Sequence, residues 1–404
     1  MRPTSGSPLI QVASPPGPPR RRSNSGLRRS VPAAVLYVIS SLQTLSVVEF
    51  GGMAIKPLQL ITAIACIGLL AQGMRLAHPL RPVALYLGFV LTFTLLPYSV
   101  YGAKPLYLNY LFALVLLFLA SAFFAGTTYE EGLRGLRWGA LTIAAYSATN
   151  VLLQYDRVLA SRAYDASSGA RAQVENLLYG GGINVEASWI ALASMFFVEK
   201  PKQFVIYSAP TVFVILAFSS RTATLVWGIC AAVMLFRALR PSLAFLATLA
   251  IGSAFLFYQV QSSSDLSQLN VIQRFLETGN DPGSQGRVAL WKGGFEAFLQ
   301  HPFFGYGIGN EVDAIRGVTG LPVLEDNVHN LYLGNALALG LLGPIVFIIC
   351  MALLWIRLSG RFSARGYLLV FLAAGFLEFR GADSVFYTVV ALLGACVLSP
   401  KESD

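Results

Sequence analysis

Residues 107–125 read YLNYLFALVLLFLASAFFA, nineteen positions with no formal charge. Wound as a helix at about 1.5 Å per residue, such a stretch matches the roughly 30 Å hydrocarbon core of a bilayer. Eleven further apolar segments surround it, near 31–48, 53–72, 82–100, 136–154, 183–198, 204–219, 222–237, 242–260, 329–356, 366–379 and 384–399. The whole composition points the same way. Of 404 residues, 55% are hydrophobic and only 12% charged, and mean hydropathy is +0.62. Too few polar side chains exist to cover a water-soluble globule, and too many apolar ones for a disordered chain. Alternating polarity of the kind an outer-membrane barrel needs is missing. The expectation is an all-α polytopic membrane protein of about twelve transmembrane helices. Residues 1–30, rich in Pro, Ser and Arg, read as a disordered basic tail with no cleaved signal peptide. The organisation predicted is therefore a tail over 1–30, helices one to nine over 31–260, a loop over 261–328, and helices ten to twelve over 329–399.

The net charge of +9 is mostly a topology signal. With the N-terminus in the cytoplasm, eighteen of the 29 Lys and Arg residues fall on the inner side and ten on the outer. Lys56, at the start of the second span, can snorkel to the surface. This bias predicts that both termini are cytoplasmic, and no nucleic-acid partner is needed to explain the charge. The four cysteines, Cys66, Cys230, Cys350 and Cys396, lie inside apolar runs and form no disulfide framework. Three histidines in the whole chain argue against an imidazole-built metal centre.

Two connections on the predicted outer side are too long for simple turns, about 155–182 and 261–328. In the second, Asp281-Pro282-Gly283 is a turn signal and Ser284 a helix-capping residue. Trp291, Phe295 and Phe298 then recur at helical spacing opposite Lys292, Glu296 and Gln300, and Pro302 closes the segment. This predicts an amphipathic helix of about four turns, lying on the membrane surface or over a cavity. The spans themselves hold almost no ionisable groups; Glu186 sits near one end, and Glu378 and Asp383 flank the last two. No carboxylate relay crosses the membrane, which weakens an ion-coupled transporter reading.

The outer side carries the candidate chemistry. Arg221 lies in a tight turn, Phe218-Ser219-Ser220-Arg221-Thr222, where a snorkelling role and an anion-binding role are both open. Arg287 opens the amphipathic helix, where backbone N–H groups add to an anion site. His329 follows Glu325-Asp326-Asn327-Val328 and begins the tenth span. Two permanent cations and one titratable base suit a lipid-linked phosphate. The arginines would stabilise a departing pyrophosphate and the histidine would accept a proton from an attacking hydroxyl. A helix N-terminus keeps the imidazole neutral while Glu325 and Asp326 push the other way.

At these residues the sequence resembles the O-antigen ligase and polymerase superfamily. The resemblance rests on Gly286-Arg287-Val288-Ala289-Leu290-Trp291, on His301-Pro302-Phe303-Phe304-Gly305-Tyr306-Gly307-Ile308-Gly309, and on His329-Asn330-Leu331-Tyr332-Leu333 with Leu339-Gly340-Leu341-Leu342-Gly343. Arg221 in Ser-Arg-Thr matches the family's arginine after the seventh span. The motifs cover roughly 215–345. The resemblance implies a metal-independent, cofactor-free glycosyltransferase of the C-type membrane fold in the bacterial inner membrane, its site facing the periplasm. The implied donor is a glycan on undecaprenyl pyrophosphate. The acceptor is lipid A-core in the ligase branch, the reading preferred here, or another lipid-linked repeat in the polymerase branch. Carried over by position, Arg221 and Arg287 would bind pyrophosphate and His329 would activate the acceptor. Gly182-Ile183-Asn184-Val185-Glu186 only loosely matches the family's Asn-rich entry to the sixth span, so no role passes to Arg171, Asn184 or Glu186. A single base and a single displacement predict inversion at the anomeric carbon. A reading of another class, a multi-pass transporter or lipid flippase, would move substrate through the bundle without covalent transfer.

Overall fold

A computed structural model describes residues 25–50, 53–72, 75–162, 174–239, 243, 282–320, 327–379 and 381–398. The predicted tail up to residue 24, the span 242–260 apart from residue 243, the loop stretch 261–281, Arg171, Glu325 and Asp326 lie outside the described residues. The chain is built from helices: α1 (Ser25–Ser41), α2 (Pro57–Gln72), α3 (Arg81–Phe93), α4 (Leu95–Tyr101), α5 (Leu106–Phe123), α6 (Tyr129–Leu153), α7 (Tyr155–Arg162) and α8 (Ile183–Ala193) form the first half. The second half holds α9 (Pro201–Phe218), α10 (Arg221–Ala238), α11 (Pro282–Gln300), α12 (Glu311–Thr319), α13 (Leu331–Leu339), α14 (Leu342–Arg357), α15 (Phe362–Ala374) and α16 (Ser384–Ala395). Two three-residue strands, β1 (Val48–Phe50) and β2 (Met53–Ile55), pair as a small hairpin and are the only strands among the described residues.

Among the described residues four helical runs are long and apolar enough to cross a membrane: His78–Tyr101, Leu106–Phe123, Pro201–Phe218 and Arg221–Ala238. Six more apolar helices are shorter, among them Ser30–Ser41, Ile183–Phe196 and Ser384–Ala395. The described residues do not by themselves make up the twelve expected spans, and one of those spans lies almost wholly outside them. Helix boundaries also differ from the predicted ones. The apolar run 329–356 is two helices, because Gly340 leaves the helical path at φ +65°. The first helix begins at Ser25, inside the predicted tail. Helix α6 begins at Tyr129, ahead of the predicted 136, because Thr128 and Glu131 form a reciprocal capping box. Its Gly135 lets α1 approach closely; an added Cβ there would lie 2.5 Å from that of Ala33.

A main core runs through the bundle, with Trp189, Tyr207, Phe371 and Phe386 among its buried side chains. A second, smaller core joins α11 to α12 and α13 through Leu290, Ala297, Ile315, Val328 and Leu337. The predicted amphipathic helix is present, but it is longer and turned differently. It starts at Pro282, a residue whose fixed φ suits a first helical turn, so Ser284 lies within the helix. The face packed inward carries Leu290, Gly293, Gly294 and Ala297, with Trp291 and Phe298 half-buried, whereas Phe295 is exposed.

The glycine-rich turn after α11 is stitched to the end of α13. Tyr306 and Gly307 donate their amides to the carbonyls of Leu337 and Ala338 at 2.8 and 2.9 Å, and Leu341 donates to Pro302 at 2.7 Å. Tyr98 and Thr94 hold Ile308 from the other side. Lys104 pairs with Asp313 at 2.9 Å, and that hydrogen bond holds the Asp313 carboxyl below the usual carboxylate range. At Gly340 a Cβ would run into the carbonyl of Phe303. Gly340→Ala therefore adds a clash to a left-handed backbone strain, and the thermal midpoint in nanodiscs should fall by the equivalent of about 2 kcal/mol.

Candidate functional site

Helix α13 has its N-terminus at the site. Asn330 caps it, its Oδ1 accepting the amides of Tyr332 and Leu333 at 3.0 and 2.9 Å. His329 precedes the cap in a left-handed conformation, φ +52°. A histidine adopts this region more readily than most residues, but not without cost. Asn327 stabilises the bend: its Oδ1 accepts the His329 amide at 2.6 Å. The imidazole is buried at 7% exposure.

Three segments meet here. Leu331 donates its amide to Gly375, just beyond α15, at 2.7 Å. Trp291 of α11 donates its indole N–H to Val328 at 3.0 Å. One turn earlier on α11, Arg287 reaches the same hub. Its Nη1 donates to the carbonyl of Leu377 and its Nη2 to Glu378 Oε2, both at 2.9 Å. Glu378 is 1% exposed. Its other oxygen, Oε1, lies 3.8 Å from His329 Nδ1. Among the described residues this oxygen receives no hydrogen bond. The structure thus brings Arg287 and His329 together, joined through one buried carboxylate.

Arg287 keeps a quarter of its side chain exposed, 26%. A guanidinium has five donors, and the two bonds made inward leave others for an outside anion. Arg221 is placed on another element. It opens α10 after Ser219, which is left-handed at φ +48°, and Ser220, whose Oγ accepts the Ala223 amide. Helix α10 packs against α8 and α15.

Glu378 escaped the sequence reading as a site residue; it was only a charge flanking a span. The signal available was a carboxylate in an otherwise apolar stretch, Ala373-Ala374-Gly375-Phe376-Leu377-Glu378-Phe379. Such a group is costly unless paired. Glu186 has a different environment. Ser147 donates to its Oε1 at 2.5 Å, and the amides of Leu178 and Tyr179 donate to Oε2 at 3.0 and 2.9 Å. These bonds pin the connection before α8 onto α6. The same connection borders a cavity of about 580 Å³ lined by Val38, Leu42, Thr142, Tyr146 and Leu178. Among the described residues no group of three or more His, Cys, Asp and Glu side chains is arranged to hold a metal ion.

Comparison with known proteins gives one finding. Residues 206–348 match a family model described as O-antigen ligase. The match brackets the motif-bearing stretch and includes Arg221, Arg287 and His329. No curated protein matches the chain.

Proposed function

The match over residues 206–348 places this chain in the O-antigen ligase/polymerase superfamily, and on that premise we propose that it transfers a glycan from undecaprenyl pyrophosphate to an acceptor hydroxyl at the outer face of the bacterial inner membrane. The preferred acceptor is lipid A-core, the ligase reaction. The observation that carries this reading is the meeting of Arg287 and His329 around Glu378 at the N-terminus of α13. Family membership and apolar helices make it a membrane protein of glycan transfer in general; donor, acceptor and orientation are the proposal.

The chemistry asked of these side chains is small. A glycosyl pyrophosphate is already activated, so no nucleotide and no other cofactor enters. The acceptor oxygen attacks the anomeric carbon, the bond from that carbon to the pyrophosphate oxygen breaks, and the electron pair leaves with the pyrophosphate. Arg287 and Arg221 stabilise the charge that collects on it. His329 takes the acceptor's proton, and one such displacement inverts the anomeric centre. Residues whose charge is permanent hold the anion, while the imidazole handles the proton.

In cells that make O-antigen, Arg221→Ala should lower the amount of glycan-capped lipopolysaccharide by about 100-fold, the effect of losing one charge-stabilising donor. An electrophoretic ladder reads the outcome. Bare core with glycan accumulating on its lipid carrier supports the ligase reaction. Core bearing a single repeat assigns the polymerase reaction instead. Full-length glycan at normal levels overturns the assignment of Arg221.

A further inference from the structure

The Arg287–Glu378–His329 arrangement raises a question that the proposed transfer leaves open. A base needs its accepting nitrogen deprotonated, and an imidazole has two nitrogens. Asn327 Nδ2 lies 3.4 Å from His329 Nδ1 and Glu378 Oε1 lies 3.8 Å from it. These groups ask for opposite tautomers. The amide would donate to a bare Nδ1, leaving the proton on Nε2 and no lone pair there for the acceptor. The carboxylate would accept from Nδ1–H, leaving Nε2 bare. The orientation of the Asn327 amide is fixed by its other end, since Oδ1 already accepts the His329 backbone amide. It cannot turn its oxygen to Nδ1 without giving up that bond.

We infer that Glu378 is the positioning residue for His329: its buried carboxylate holds the Nδ1 proton, leaves Nε2 as the accepting nitrogen, and ties that imidazole to the anion-binding Arg287. The inference rests on the proposed transfer for its catalytic meaning, and on the geometry alone for the tautomer. Two features support it. First, a charge-assisted hydrogen bond is about twice as strong as a neutral one, so the carboxylate wins the contest with the amide once it closes from 3.8 Å to hydrogen-bond distance, a movement of about 0.6–1 Å. Second, Glu378 Oε1 is buried and receives no hydrogen bond among the described residues while Oε2 is anchored to Arg287. A buried acceptor is costly to leave unmatched, and Nδ1–H is a donor within near reach.

The same carboxylate also offsets developing charge. When Nε2 accepts a proton the ring becomes an imidazolium, and Glu378 favours that form. Arg287, on α11, is paired with that same carboxylate, and its charge disfavours the imidazolium. Removing the Glu378 charge leaves Arg287 uncompensated, so both consequences lower the imidazole's proton affinity. A base that loses proton affinity works to lower pH, and the acid limb of its rate profile moves down the pH scale.

The test uses the full chain in nanodiscs, labelled with ¹⁵N-histidine. Only His78, His301 and His329 exist in the sequence, so His78→Gln and His301→Gln assign the three signals. The expected wild-type spectrum shows His329 as the Nδ1–H tautomer. In Glu378→Gln the Nε2–H tautomer should dominate. A wild-type Nε2–H tautomer, or a Glu378→Gln variant that keeps the Nδ1–H tautomer, overturns the inference. In parallel, transfer kinetics with a lipid-linked donor should show kcat down about 100-fold and the acid limb displaced to lower pH. Donor KM should be unchanged or lower, because Arg287 loses a competing anion. Glu378→Asp should recover part of kcat and return the limb toward wild type. A fall in kcat with an unmoved acid limb and no rescue by Asp overturns the positioning role. If the spectra behave as expected but His329 proves dispensable for transfer, the proposed reaction at this site fails while the tautomer assignment stands.

Discussion

His329→Ala lowers kcat for glycan transfer by about 10³-fold while donor KM stays close to its original value. The split follows from the division of labour at the site. In the proposed mechanism pyrophosphate is held by guanidinium groups, which the substitution leaves in place, and the proton of the acceptor hydroxyl then has nowhere to go. Removing a positioned base costs roughly 10²–10⁴-fold. The backbone at this position is left-handed, so Ala adds a strain of about 1 kcal/mol unrelated to chemistry. His329→Asn tolerates that conformation better and cannot serve as a base. Both variants should lose transfer equally, while Asn keeps the higher thermal midpoint. Transfer at the wild-type rate in the Asn variant would remove His329 from the mechanism.

The second large effect is on stability. Arg287→Ala abandons Glu378, a carboxylate that is 1% exposed, and breaking one side of a buried pair costs about 3–5 kcal/mol. The partial exposure of Arg287 puts the expected loss at the lower end, about 3 kcal/mol. Replacing both partners tells the pair's cost from its function. Arg287→Met with Glu378→Leu leaves no unpaired charge and should regain most of the thermal midpoint. It should not regain transfer. A double variant as unstable as Arg287→Ala would show that the pair's loss is not what destabilises the single one.

Much of this was legible in the chain and some was not, for identifiable reasons. Residues 106–123 and 201–218 form helices close to where uninterrupted apolarity puts them, because lipid-facing and core-facing positions both demand apolar side chains. The run 329–356 misled for the same reason: hydropathy is blind to a change of direction, and Gly340 is one residue among many apolar neighbours. Phe295 misled because helical spacing says which side chains share a face, not which face is covered. The inward face of α11 uses Gly293 and Gly294, where small size rather than apolar bulk permits close approach to Ile315 and Leu333. Arg287 and His329 stood out in the sequence by motif, and the structure brings them together around one carboxylate. Glu378 did not stand out, because it is 91 residues from Arg287 and no local pattern links them.

The stitching of residues 302–307 to α13 bears on how the protein is made. A helix of nine residues ends with carbonyls that bilayer lipid cannot satisfy. Leu337 and Ala338 find their donors in a turn that the ribosome completes about thirty residues sooner. The receiving socket therefore exists before the segment that docks into it emerges. Biogenesis of α13, the helix that His329 precedes, is in this way conditional on the preceding loop having settled, and a lesion in Gly305 or Gly307 would register as failed assembly before any enzymology could be measured.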